Sequence, residues 1–199
     1  MATKPLVILD RDGVINQDSD KFIKSVQEFV PIAGSLEAIA TLNRAGYRVV
    51  IATNQSGLAR GLFDLATLEA MHDKLQQLLI VAGGHIEGIF YCPHGPAAGC
   101  DCRKPLPGLL QQIAAQYEVS LVDVPVIGDS MRDLQSAFAV GARPILVRTG
   151  KGERTLAALR KPSSEINVRE LPVYKDLAAA ANAVVAGEVR ALLSLGTGM

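Results

Sequence analysis

The chain predicts an α/β fold, a doubly wound and mostly parallel sheet. Three observations support this. Short apolar runs alternate with segments of helical spacing, the order produced when helices cross between parallel strands. The residues are 49% hydrophobic but only 5% aromatic, with no Trp. An aliphatic, Ala-rich composition of that kind suits helices covering both faces of a sheet. The distinctive polar clusters stand where apolar runs stop, and open α/β sheets bind ligands at the carboxyl ends of their strands.

The elements follow in order. PLVILD is a buried strand ending at Asp10. GSLEAIATLNRAG places Leu36, Ile39, Ala40 and Leu42 at helical spacing, with Gly46 as its C-cap. YRVVIATN is a second strand. DLATLEAMHDKLQQLLIVAGG is a second helix with Asp64 as N-cap and a Gly pair at its end. IEGIFYC is a third strand, leading into a Cys-rich loop, and PGLLQQIAAQYEV a third helix. VPVIGD is a fourth strand ending at Asp129, MRDLQSAFAVGA a helix and RPILVRTG a fifth strand. ERTLAALR and YKDLAAAANAVVAG read as helices. Residues 1–187 form a single domain by this reading, and 188–199 a weakly patterned tail.

The formal net charge is zero, which removes the basic field that nucleic-acid binding needs. The apolar runs are too short and interrupted to span a bilayer. The opening MATKPLVILD lacks the length and cleavage site of a signal peptide, so a cytoplasmic protein is expected. Three cysteines in a reducing compartment argue against a disulfide framework. A monomer is the default expectation.

LDRDGVIN sets Asp10 at a strand end and Asp12 two residues on. A carboxylate there can be a nucleophile, a metal ligand or both. Two such carboxylates repel, so a cation or proton belongs between them. Taken alone, Asp-x-Asp-Gly is explained equally well by a strand-ending Asx-turn. GDSMRD adds Asp129 and Asp133; if strands one and four are neighbours, Asp129 faces Asp10. Acidic oxygens with open water positions suit Mg²⁺, while Asp133 is also placed to cap the next helix. TNQSG offers a hydroxyl, an amide and main-chain N–H groups to phosphate oxygens, or is simply a turn. Lys104, beside Arg103 and directly before Pro105, can neutralise an aspartate or a phosphate.

All three cysteines lie between Cys92 and Cys102. Cys92, His94, Cys100 and Cys102 supply three thiolates and an imidazole, a complete tetrahedral zinc set with no position left for water. Such a zinc would be structural, ordering a loop that leads into Arg103 and Lys104. His72 and His85 lack such partners and read as surface or helix-end residues.

LDRDGVIN, ATNQSG, CRKP and IGDSMRD, in this order over roughly residues 5 to 150, resemble the haloacid dehalogenase superfamily of aspartate-nucleophile phosphatases, a Rossmann-like fold. With the Cys loop, the chain looks like the branch whose members hydrolyse sugar bisphosphates and histidinol phosphate. TNQSGLARG and QDSDKFIK look more like the sugar-bisphosphate enzymes; Ser56 stands where the histidinol enzymes carry Asp. The resemblance implies that Asp10 attacks phosphorus and Asp12 protonates the leaving oxygen, then activates water. It implies Mg²⁺ on Asp10, the Asp12 carbonyl and Asp129, and phosphoryl binding by Thr53 and Lys104. It places Arg103 on a second phosphate. The phosphorylated sugar would be met by Arg11, Asp18, Ser19, Asp20, Lys21, Asn54, Gln55, Ser56 and Ser130, and the pathway would be synthesis of lipopolysaccharide core. Ser130 departs from some sugar-bisphosphate enzymes, which carry Lys there. One helix and the Cys loop separate motifs two and three, leaving no room for a large cap domain. From a different class, the Cys/His cluster alone fits a zinc-dependent binding module, which would leave the strand-end carboxylates unexplained.

Overall fold

A computed structural model describes residues 4–161, 166–167 and 169–191. Six strands form one sheet in the order β3-β2-β1-β4-β5-β6, and every pairing is parallel. The strands are β1 Leu6–Leu9, β2 Arg48–Asn54, β3 Gly88–Cys92, β4 Pro125–Gly128, β5 Arg143–Val147 and β6 Val173–Tyr174. The helices are α1 Ser35–Arg44, α2 Leu65–Ala82, α3 Gly108–Tyr117, α4 Met131–Phe138, α5 Gly152–Leu159, α6 Leu177–Ala186 and α7 Glu188–Ala191.

The sheet is covered on both sides because apolar residues run consecutively along its inner strands while side chains alternate between faces. In β1, Val7 and Leu9 join the cluster made with α1, α2 and α6, whereas Leu6 and Ile8 join the one made with α3 and α4. A third, smaller cluster packs α4 and α5 on the outer part of the sheet, through Leu134, Leu146, Leu156 and Leu159. This is the doubly wound architecture that the alternating pattern predicts, with no large cap domain among the described residues.

Three details differ from the sequence expectation. β6 is a strand of two residues, too short to leave a pattern, and Tyr174 belongs to it rather than to the helix after it. α1 ends at Arg44 with Ala45 as its cap; Gly46 lies one residue beyond, its N–H closing on the Asn43 carbonyl. The expected tail from 188 begins inside packed structure: Val189 is buried and its carbonyl accepts from Arg143 Nη1. The rest of that tail, 192–199, lies outside the described residues. No described helix is long and apolar enough to cross a membrane.

Candidate active site

β1 and β4 are neighbours, with Leu9 in register with Ile127, so the residues just beyond them meet. Asp10 and Asp129 come together with Asp133 of α4, one carboxylate oxygen from each within 4.8 Å of the others. Two glycines make this approach possible. Gly13 and Gly150 have φ of 85° and 57°, backbone that L side chains rarely adopt. A Cβ on either would overlap the Asp129 carboxylate.

Lys104 reaches this floor from the end of the Cys loop. Its Nζ, buried with the residue 4% exposed, donates to the Ala52 carbonyl at 2.8 Å and to Asp133 Oδ1 at 2.5 Å. It also pairs with Asp10 Oδ1 at 3.0 Å. Burial alone would lower its pKa, but Asp10 and Asp133 outweigh that and hold it above the usual lysine range. Asn54 pins the lysine's main chain from both sides, its amide donating to the Lys104 carbonyl and accepting from the Lys104 N–H.

Three carboxylates meet here while the ammonium pairs with only two of them, Asp10 and Asp133, and the imbalance shows in their titration. Burial, with the charges of Asp133 and Asp12 and against the pull of Lys104, raises Asp10 to about 6. Burial and the charges of Asp10 and Asp133 raise Asp129 to about 8. Burial also opposes ionisation of Asp133, but Lys104 and Ser130 more than compensate and its pKa is lowered. Its Oδ2 accepts both the Ser130 N–H and the Ser130 hydroxyl, at 3.0 and 2.5 Å. Asp133 is therefore satisfied as a helix cap and lysine partner. Asp10 and Asp129 are left with hard oxygen atoms and the charge deficit of a divalent cation, a donor set suited to Mg²⁺.

Asp12 is held differently. Arg11 Nη2 donates to its Oδ1 and Oδ2 at 2.9 and 3.0 Å, Asn16 Nδ2 to Oδ1 at 2.9 Å and Gln55 Nε2 to Oδ2 at 3.0 Å. Burial pushes its pKa up, but the Arg11 charge and these hydrogen bonds prevail and lower it.

The surrounding cleft has a volume of about 300 Å³. Most residues expected from the sequence line it: Asp10, Asp12, Asp18, Ser19, Asp20, Thr53, Asn54, Gln55, Ser56, Arg103, Lys104, Asp129 and Ser130. Asp18 is paired with Lys151 Nζ at 2.5 Å and Asp20 with Arg154 at 3.2 Å, tying the loop after β1 to the start of α5. Two expectations need correction. Arg11, expected to meet substrate, is buried; its guanidinium is committed to Asp12 and Gln55 beneath the site. Lys21 is exposed and is absent from the cleft wall. Gln55 lines the cleft, yet its amide is engaged with Asp12, Thr53 and Arg11. Sequence reasoning missed Arg60, Arg132 and Lys151, which also line the cleft. It also misplaced His72, which is only partly exposed, with Nε2 3.4 Å from Arg11 Nη1. His85 follows α2 as expected, exposed, its N–H donating to Asn43 Oδ1.

The Cys loop closes on itself. Cys92 Sγ lies 3.7 Å from Cys100 Sγ and 3.6 Å from His94 Nδ1, and His94 Nδ1 lies 3.3 Å from Cys102 Sγ. A tetrahedral zinc with Zn–S bonds of about 2.3 Å sets its sulfurs roughly 3.8 Å apart, so the four donors fit that ion, with Nδ1 as the imidazole ligand. Burial and the neighbouring thiols push Cys102 up to about 12; three thiols this close resist ionising together unless a cation binds them. Arg103, the next residue, donates to the His94 carbonyl at 3.3 Å.

An Asp-x-Asp strand end, a second acidic strand end, a threonine at the end of β2 and a buried lysine on this sheet define a phosphotransfer-type hydrolase site. The sequence model of haloacid dehalogenase-like hydrolases matches residues 5–141, and a second HAD-hydrolase-like model matches residues 101–183. The chain belongs to the haloacid dehalogenase-like hydrolase family. It is 55% identical over 180 residues to D-glycero-beta-D-manno-heptose-1,7-bisphosphate 7-phosphatase of Pseudomonas putida, covering 90% of this chain and 99% of that one. The Escherichia coli K12 protein of the same name is 37% identical over 156 residues, 74% of this chain and 81% of that one. The crystal structure of D,D-heptose 1,7-bisphosphate phosphatase from B. bronchiseptica, complexed with magnesium and phosphate, is similar with a TM-score of 0.86. That structure is 54% identical and covers 92% of this chain and 99% of that one.

Proposed function

We propose that the chain removes the 7-phosphate of D-glycero-D-manno-heptose 1,7-bisphosphate through an aspartyl-phosphate, in making the heptose precursor of lipopolysaccharide core. The preferred anomer is β, the one specified in the relatives' names. The observation that carries the substrate is the charge pattern of the cleft. Arg60, Arg103 and Arg132 share its wall, and none has a carboxylate partner among the described residues. Burial and the charges of Arg132 and Arg60 lower the pKa of Arg103. Like charges gathered this way favour an anion. A sugar carrying two phosphates can place one on the acidic floor and the other on these guanidiniums. Histidinol phosphate, whose other end is an ammonium and an imidazole, meets the same rim with the wrong sign.

Asp10 Oδ1 is engaged by Lys104 and the Arg11 N–H. This leaves Oδ2 to attack phosphorus as the bond to the sugar oxygen breaks and that oxygen takes a proton from Asp12. The lowered pKa of Asp12 suits the second half, in which it takes a proton from water. The water oxygen then attacks phosphorus, releasing inorganic phosphate and the Asp10 carboxylate. For the first half Asp12 must carry a proton, which the charge of a bound phosphoryl group favours. Thr53 and Lys104 offer donors to the equatorial phosphoryl oxygens. Mg²⁺, held by Asp10, Asp129 and the Asp12 carbonyl, would neutralise charge on the phosphoryl group. Zinc on Cys92, His94, Cys100 and Cys102 would hold Arg103 and Lys104 in place. Three free thiols in one loop suit a reducing cytoplasm.

Phosphate release from the bisphosphate and from heptose 7-phosphate alone tests the reading. KM should rise by roughly 10-fold or more without the 1-phosphate, the scale of a lost charged hydrogen-bonding group. An unchanged KM would remove the arginine rim from substrate binding.

A further inference from the structure

Arg11 is a buried charge for which the reaction above has no direct use. Every contact of its guanidinium faces inward. Nε and Nη2 hold Asp12, and Nη2 also donates to Gln55 Oε1 at 3.2 Å. The Phe29 ring lies 5.7 Å from Arg11 Cζ. Nη1 is directed at His72 Nε2. A guanidinium can only donate, so that nitrogen of His72 is the acceptor and Nδ1 carries the proton. The Tyr91 ring lies beside that of His72, with centroids 6.2 Å apart and a 54° tilt.

We propose that Arg11 and His72 are positioning residues for Asp12: His72 orients the Arg11 fork, and the fork fixes which way the Asp12 carboxylate faces the cleft. Asp12 gives a proton to the leaving oxygen and later takes one from water, and both transfers require its oxygens at one place. A free carboxylate turns about its last bond. Two parallel N–H groups of one planar cation prevent that, while a lysine at position 11 would supply a single point charge. His72 lies on α2, sixty-one residues from Arg11 in the chain, so the helix packed over the sheet helps set the geometry of the acid–base group. Burial and the Arg11 charge lower His72 to about 4, consistent with a neutral acceptor.

The inference rests on the reading of Asp12 as proton donor and acceptor, and the test separates the two. It compares kcat/KM for the sugar bisphosphate, whose leaving oxygen needs a proton, with 4-nitrophenyl phosphate, whose leaving group does not. The variants are Asp12→Ala, Arg11→Gln, His72→Leu and His72→Gln. The expected result is a fall of roughly 10- to 100-fold on the sugar for Arg11→Gln and His72→Leu, with a smaller fall on the aryl phosphate. His72→Gln, which keeps an acceptor, should restore the sugar rate. Equal losses on both substrates in Arg11→Gln and His72→Leu, while Asp12→Ala discriminates between them, would overturn the positioning role. If Asp12→Ala itself does not discriminate, the acid role of Asp12 fails and the inference falls with it. Should Arg11→Gln not fold, His72→Leu, with Arg11 intact, decides the matter.

Discussion

The acidic floor and the Cys loop each gather groups that repel one another, and they are held together by different means. On the floor, Asp10 and Asp129 are delivered by adjacent parallel strands whose apolar residues are buried on both faces. The sheet imposes the crowding, and the cost appears as raised carboxylate pKa values. In the loop, residues 93–102 contain no helix or strand, and only a few turn hydrogen bonds and the packing of Cys100 and Cys102 on the core assist the four donors in holding them. A metal on the floor therefore relieves strain that the fold already bears, whereas a metal in the loop supplies the fold. The first should govern activity and the second stability.

The comparison would break most visibly at Asp10. Asp10→Asn should lower phosphate release by about four orders of magnitude or more, the scale of removing a nucleophile, while zinc content and circular dichroism stay unchanged. Persistent activity would show that Asp10 is not the attacking group.

Separate removal of the metals sharpens the contrast. Chelating Mg²⁺ should abolish turnover reversibly with little loss of melting temperature in neutral buffer. Stripping zinc should lower the melting temperature and leave a protein that Mg²⁺ cannot restore. If zinc removal leaves thermal unfolding unchanged, the loop is ordered by something else.

Cys100→Ser tests the same loop one ligand at a time. Bound zinc should fall below one per chain and the melting temperature should drop, with activity reduced less than in Asp10→Asn because Arg103 and Lys104 are disturbed indirectly. Full zinc occupancy by elemental analysis would contradict the four-ligand assignment.

The smallest effect is on the pH dependence of the metal-free floor. The folded-state pKa of Asp129 is raised from 3.8 to about 8, so between those values the native state holds a proton that the unfolded chain has released. The Asp129 contribution to stability then falls as pH rises through that window, while that of His72, lowered to about 4, rises only up to its ordinary value of 6.5. Without Mg²⁺ the melting temperature should decline from pH 5 to pH 8, and Asp129→Asn should flatten the decline. A rising melting temperature over that range would contradict the crowding.

Much of this was legible in the sequence because buried parallel strands advertise their ends. An apolar run that stops at Asp10 or Asp129 marks both the strand and the site, and the Cys loop carries its full donor set within eleven residues. The resemblance places Arg11 on the substrate, but its burial and its bonds to Asp12 and Gln55 depend on packing that the motif does not display. Arg11 stands between two carboxylates that face the cleft, in the bend after β1 where its carbonyl accepts from Val14, Ile15 and Asn16, and its side chain is buried beneath Asp12. His72 carried no signal, since its partner is Arg11 and a lone histidine on a helix resembles any surface residue. Arg60, Arg132 and Lys151 are ordinary charged residues of loops and helix starts, and only the packing of those elements around the cleft singles them out. The two-residue β6 is set by its pairing with β5 rather than by any pattern of its own.

The most direct test is phosphate release with Mg²⁺ from both anomers of heptose 1,7-bisphosphate, beside histidinol phosphate and fructose 1,6-bisphosphate. Phosphorus NMR would report which phosphate leaves. The account predicts strong preference for the β-heptose bisphosphate, with loss of the 7-phosphate and retention of the 1-phosphate. Preference for histidinol phosphate would contradict it, leaving the aspartate chemistry in place but assigning the arginine rim no role in choosing the substrate.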